Sequence, residues 1–159
     1  MSTNEPATPP TSPGFRVWPP VSIAVPWLIG WGLGRAIGLR WDPGWLVHAA
    51  GWMLVLGFAL WNGWCLILFA RHRTGLLPGQ ETSTLMRSGP FRVCRNPLYL
   101  GLLALYVGVA LLAGSIAALV LTPLAWAGLH WGAVLPEERY LAQRLGEPYQ
   151  AYCREVRRW

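Results

Sequence analysis

Four apolar runs, each near or beyond the length that crosses a bilayer, constrain this chain more than any other feature. A helix needs ~20 apolar residues to traverse ~30 Å of hydrocarbon. The runs occupy about 21–39, 45–70, 98–113 and 115–135. The third is short, and Gly114 alone separates it from the fourth, so these two are expected to form a tight hairpin with an uncharged turn. Hydrophobic residues fill 53% of the 159 positions, charged residues 13%, and eleven positions are tryptophan. That balance suits lipid better than a small water-soluble core. The expected fold class is an all-α integral membrane protein of four transmembrane helices plus a short amphipathic C-terminal helical tail.

The formal net charge is +6, and all 13 basic residues are arginine. Arg71, Arg73, Arg87, Arg92 and Arg95 lie between the second and third runs; Arg139, Arg144, Arg154, Arg157 and Arg158 follow the fourth. With four spans both groups fall on one side, and the positive-inside rule makes that side cytoplasmic, with both termini there. Arginines placed beside apolar runs point to anionic headgroups rather than to nucleic acid. Arg35 is expected to snorkel to the far interface.

Residues 1–16 (MSTNEPATPPTSPGFR) lack the basic start and short apolar core of a signal peptide and read as a disordered tail. The remaining 17–159 form a single membrane domain with a cytoplasmic tail over 136–159. Cys65, Cys94 and Cys153 have no metal-binding or disulfide spacing. Gly30, Gly34 and Gly38 repeat every four residues and predict a groove for a neighbouring helix. Polar His48 and Asn62 in the second run are expected to face the bundle. Oligomeric state is left open by these features.

After the fourth run, Pro136 suits the first turn of a new helix, with Glu137 and Glu138 at its positive end. Tyr140, Leu141 and Leu145 make an apolar stripe that Gly146 terminates. Pro148 then opens another turn, with Tyr149, Tyr152, Cys153 and Val156 on one face. This tail is expected to lie on the cytoplasmic mouth of the bundle with its arginines toward headgroups.

The candidate chemistry gathers at that mouth. Asn96 is a good N-cap and Pro97 a good first residue for the third helix. The free amides of Tyr99 and Leu100, with Arg95 beside them, would make an anion site. The hairpin brings Glu137 and Glu138 to the same depth, and Tyr99, Tyr149 and Tyr152 can converge there. A matching ligand carries an anionic end, a cationic end and a flat ring. S-adenosylmethionine has all three, and its sulfonium suits an aromatic face. On residues alone a plainer reading also stands, in which Arg95 sets orientation, Asn96-Pro97 caps a helix and the glutamates are a solvated helix start.

The pieces RTG (73–75), SGPFRVCRNPLYLG (88–101), PEERYL (136–141) and LGEPYQAYCREVRRW (145–159), in that order around an apolar hairpin, resemble the isoprenylcysteine carboxyl methyltransferase and phospholipid methyltransferase superfamily of small membrane enzymes. The stretch they mark out, from Arg73 to Trp159, is just over half the chain; the first two runs match only as hydrophobic segments. The resemblance implies S-adenosylmethionine at the cytoplasmic interface and a methyl acceptor entering from lipid. It places Arg95, Asn96, Pro97, Tyr99 and Gly101 in the cofactor's cradle, Glu137 and Glu138 along the same pocket, and Tyr149 and Tyr152 closing it. Asn96 stands where the carboxyl methyltransferases often carry histidine, a departure that bears on the acceptor and leaves the cofactor expectation in place.

The implied reaction is in-line attack on the sulfonium methyl, for which positioning alone can supply up to ~7–11 kcal/mol of the barrier. Glu137 and Glu138 would bind and polarise, serving as base only for an acceptor that must lose a proton, such as an amine. His130, seven residues before Glu137, is a candidate for the acceptor tunnel, or else a packed, hydrogen-bonded histidine. No metal is expected. Two other function classes remain at this point: an NADPH-dependent membrane reductase of the sterol reductase type, and a non-catalytic small membrane protein.

Overall fold

The computed structural model describes Gly14, residues 16–72 and residues 85–159. The 73–75 motif lies outside the described residues, as does the N-terminal tail apart from Gly14 and Arg16. All regular elements among the described residues are helical: α1 Pro19–Ala36, α2 Trp45–His72, a 3-10 turn Gly89–Arg92, α3 Pro97–Leu112, α4 Ile116–Val120, α5 Thr122–Leu129, a π-helical turn His130–Val134, α6 Leu135–Leu145 and α7 Glu147–Glu155. Proline stands in the first turn of α1, α3, α5, α6 and α7. At the free starts of α1, α3 and α7 its missing N–H costs nothing and its fixed φ already suits a helix.

Helix α3 is central. Helix α2 packs along one side of it, and α1, α4 and α5 pack on the other. The α2–α3 seam closes where two glycines cross: a Cβ on Gly108 would lie 2.9 Å from the Gly51 carbonyl oxygen. Farther along, Trp61 Nε1 donates to the Pro97 carbonyl at 2.9 Å and Asn62 Nδ2 to the Leu98 carbonyl at 3.2 Å. Asn62 thus faces the bundle. The predicted glycine groove on α1 is used in part. A Cβ on Gly30 would meet Ala118 backbone at 2.5 Å and one on Gly34 would reach the Ala117 methyl at 3.6 Å, whereas Gly38, at φ 69°, belongs to the turn after α1. Arg35 stacks over Trp31, 4.9 Å from the ring centroid.

Helix α2, over Trp45–Arg71, is long and apolar enough to cross a membrane, and α3 is a shorter apolar helix. Apolar side chains such as Leu28, Leu33, Met53, Leu60, Val120 and Trp131 stand exposed around the bundle.

The fourth apolar run departs from the single helix expected over 115–135. Gly114, at φ 56°, turns the chain, and Ser115 caps α4 by accepting the Ala118 amide at 3.3 Å. Helix α4 then ends at Leu121, because Pro123 offers no N–H to continue the ladder and opens α5 instead. A second difference lies at Pro136, which does not start a separate helix. The chain runs from the π turn into α6 without a break. Pro136 has no amide for the carbonyl of Gly132, four residues back, and that oxygen accepts the Arg16 and Val17 amides instead, at 2.9 and 3.3 Å. Gly146, at φ 59°, ends α6 as its sequence predicts.

Candidate active site at the start of the third helix

The approach to α3 is held from both sides. Phe91 of the 3-10 turn is buried and meets Phe69 edge-on at 5.5 Å. Tyr152 on α7 donates its hydroxyl to the Phe91 carbonyl at 2.6 Å. Arg87 donates to the Pro148 carbonyl at 2.6 Å and lies over the Tyr152 ring. These contacts seat α7 against the segment that carries Arg95 and Asn96.

Asn96 is buried and occupies the N-cap position, yet its side chain makes no cap hydrogen bond. Its Nδ2 donates to the carbonyl of Arg158 at 3.1 Å, while its own carbonyl accepts the Leu100 amide at 3.1 Å. The expectation that the Leu100 amide is free is therefore corrected: the N-cap carbonyl takes the first intrahelical bond. Leu100 itself is 38% exposed. Pro97 is fully buried. Gly101 sits in the α2–α3 seam, where an added Cβ would overlap the Asn62 side chain.

The two glutamates at the start of α6 diverge in their partners. Tyr99 Oη donates to Glu137 Oε2 at 2.5 Å. Glu138 accepts from Arg158 Nε at 3.0 Å and pairs with Arg158 Nη2 at 2.8 Å and with Arg95 Nη2 at 3.4 Å. Burial holds the Glu137 carboxyl above the usual carboxylate range; the neighbouring Glu138 adds to this and the Tyr99 hydrogen bond opposes it. Burial also pushes the Tyr149 phenol up, reinforced by the Glu138 carboxylate, and pushes the Tyr152 phenol up to about 12. The two rings lie 6.3 Å apart. Arg95 and Arg158 bring two positive charges to one Glu138 carboxylate, and Arg95 Nε is buried with no hydrogen-bond partner among the described residues. Such a corner favours an added anion.

His130 opens the π turn that leads into α6. Seven residues of α-helix return to within ~20° of the same face, but the intervening turn is π-helical and its wider winding shifts that register. The His130 ring stacks on Trp126 at 4.9 Å and faces Trp159 at 6.1 Å, with Nδ1 buried and without a partner among the described residues. Trp159 packs against the buried cluster of Tyr99, Leu129, Ala133 and Val134.

Sequence reasoning thus names residues that do meet: Arg95, Asn96, Tyr99, Glu137, Glu138, Tyr149 and Tyr152 surround one corner. It misses Arg157, Arg158 and Trp159 there. Arg158 turns inward to Glu138 instead of outward to headgroups, and the available signal is the charge match between the RRW run and the glutamate pair. Among the described residues no three His, Cys, Asp or Glu side chains gather as a metal site.

Residues 46–148 match the phospholipid methyltransferase family model. The chain is 29% identical over 120 residues to the cobalt-zinc-cadmium resistance protein CzcN of Cupriavidus metallidurans, covering 74% of this chain and 51% of that protein. It is 27% identical over 120 residues to the nickel-cobalt-cadmium resistance protein NccN of Alcaligenes xylosoxydans xylosoxydans, with 74% and 52% covered. The chain spans about half the length of these relatives. No solved structure matches it.

Proposed function

Because the chain belongs to the phospholipid methyltransferase family, within the isoprenylcysteine carboxyl methyltransferase-like superfamily, we propose that it is an integral membrane enzyme that transfers a methyl group from S-adenosylmethionine to a lipid-like or apolar acceptor. In this reading the four apolar segments all lie in the bilayer, with α4, α5 and the π turn together making the fourth span. Both termini and the site then face the cytoplasm, in keeping with the arginine distribution. The apolar side chains exposed around α1, α2 and α5 support a lipid environment, since water would leave them uncompensated.

The observation that carries the proposal is the meeting of the α3 start with the α6 start, through Tyr99–Glu137 at 2.5 Å and Arg95–Glu138 at 3.4 Å. The donor set fits the cofactor. The spare Arg95 Nε suits its carboxylate, Glu138 suits its ammonium or ribose hydroxyls, and Tyr149 and Tyr152 offer ring faces. S-adenosylmethionine supplies a methyl group already activated by its positive sulfur. The protein's own contribution is to orient and to exclude water. Burial raises the proton affinity of the Glu137 carboxylate, which suits it to take a proton from an acceptor that must lose one, such as an amine.

The test is calorimetric binding of S-adenosylhomocysteine and NADPH to purified protein in nanodiscs, followed by transfer of labelled methyl groups into membrane extract. Binding of the former alone, abolished or severely weakened by Glu138→Gln, is the expected result. Binding of NADPH instead would favour the reductase class, and binding of neither would remove the enzyme reading.

A further inference from the structure

Beyond α7 the chain runs back to the corner that holds Arg95, Asn96 and Glu138. Val156 leaves the helix in extended conformation, at φ −120° and ψ 131°. The Arg157 carbonyl accepts the Arg95 amide at 2.9 Å, and the Arg158 carbonyl accepts the Asn96 side chain at 3.1 Å. The Arg158 guanidinium grips Glu138 at two points, 3.0 and 2.8 Å, using both carboxylate oxygens. Trp159 then packs beside Tyr99 and 6.2 Å from Trp126. Three consecutive residues therefore occupy polar groups of Arg95, Asn96 and Glu138 and cover Tyr99.

We infer that Arg157–Trp159 is a self-occluding strap, with Arg158 an internal competitor for the carboxylate that would receive the cofactor's cationic or hydroxyl-bearing end. This rests on the cofactor reading above. A two-point guanidinium–carboxylate fork is a strong form of ion pairing, and a ligand that brings its own donor to Glu138 must displace it. The Arg158 side chain is 39% exposed and that of Glu138 only 13%. The arginine is thus the partner with water to swing into, while the carboxylate stays fixed on α6. A protein whose open state is a fraction f of the population binds with an apparent Kd of the intrinsic value divided by f. Loosening the strap therefore tightens binding, whereas loosening a pocket wall weakens it.

The experiment compares wild type, Arg158→Gln and Arg158→Lys in nanodiscs. Stopped-flow and calorimetry read S-adenosylhomocysteine binding, and hydrogen exchange reads the peptide containing the Arg95 amide. The lysine variant keeps the charge without the fork, so it guards against a glutamine variant that fails to fold. Expected are faster exchange at Arg95 and faster, tighter binding, by about fivefold or more in apparent Kd, with lysine between glutamine and wild type. Faster exchange with weaker binding would make the strap a wall of the site and overturn the gate. Unchanged exchange would overturn it whatever the binding. Absence of binding in all three proteins would instead sink the cofactor reading, and the gate with it.

Discussion

Tyr99 and Glu137, 38 positions apart, share a 2.5 Å hydrogen bond that ties the first turn of α3 to the first turn of α6. Tyr99 is 9% exposed, so little water is available to replace the phenol. The bond joins the two helix starts beside the Arg95–Glu138 ion pair.

Tyr99→Phe keeps the ring in its packing and deletes the donor. Leaving a buried acceptor without its donor costs ~1–3 kcal/mol, so the variant is expected to lose about that much in denaturant unfolding followed by tryptophan fluorescence. A stability equal to wild type would show that Glu137 finds an equivalent partner.

Glu137 makes stability depend on pH in a direction that can be worked out. Its folded carboxyl titrates above its ordinary range, chiefly through burial. Its contribution is therefore complete below the unfolded value of ~4.3 and is lost as pH rises through the folded one. Glu137→Gln removes this titration. The Tm of wild type relative to the variant should be most favourable near pH 4 and decline toward neutrality, and a difference that stays flat would contradict the burial.

Gly101 separates packing from ligand binding. An alanine there runs into Asn62, and such overpacking costs typically ~1–3 kcal/mol. Asn62→Ala should recover part of the lost stability in the double variant, measured by the same unfolding assay. Additive losses would place the effect elsewhere.

Ser115 is 2% exposed and caps α4 through its Oγ. Ser115→Ala is expected to cost about 0.5–2 kcal/mol and to leave S-adenosylhomocysteine affinity unchanged, because the residue lies at the opposite end of α3 from Asn96. Loss of affinity without loss of stability would contradict that placement.

Much of this arrangement is legible in residue order because proline and glycine act locally. Pro97 and Pro148 open helices, and Gly146 stops α6, for reasons confined to one peptide unit. The meeting of Arg95 with Glu138 is legible because a tight turn at Gly114 leaves few ways to return the chain. The fourth segment is less legible: its hydrophobicity is continuous, and only the missing N–H of Pro123 divides it. The π turn has no signature of its own, since it arises where Pro136 withholds an amide and the Arg16 and Val17 amides satisfy the Gly132 carbonyl. Charge pattern alone sends Arg158 outward, because it cannot rank a headgroup against a carboxylate reached only after folding. The packing of Gly101 against Asn62 is not legible, because it depends on a helix from elsewhere in the chain.

Helix α3 has 16 residues, which at ~1.5 Å per residue extend about 24 Å, some 6 Å less than a typical hydrocarbon layer of ~30 Å. In the proposed bilayer setting, Asn96 and Tyr99 would sit recessed beneath the surface, at the floor of a local dimple where lipid thins to meet the short rod. A headgroup would then reach the reacting corner by sinking with the leaflet, its chains never leaving oil, and a water-borne analogue would have to be drawn down to the same depth.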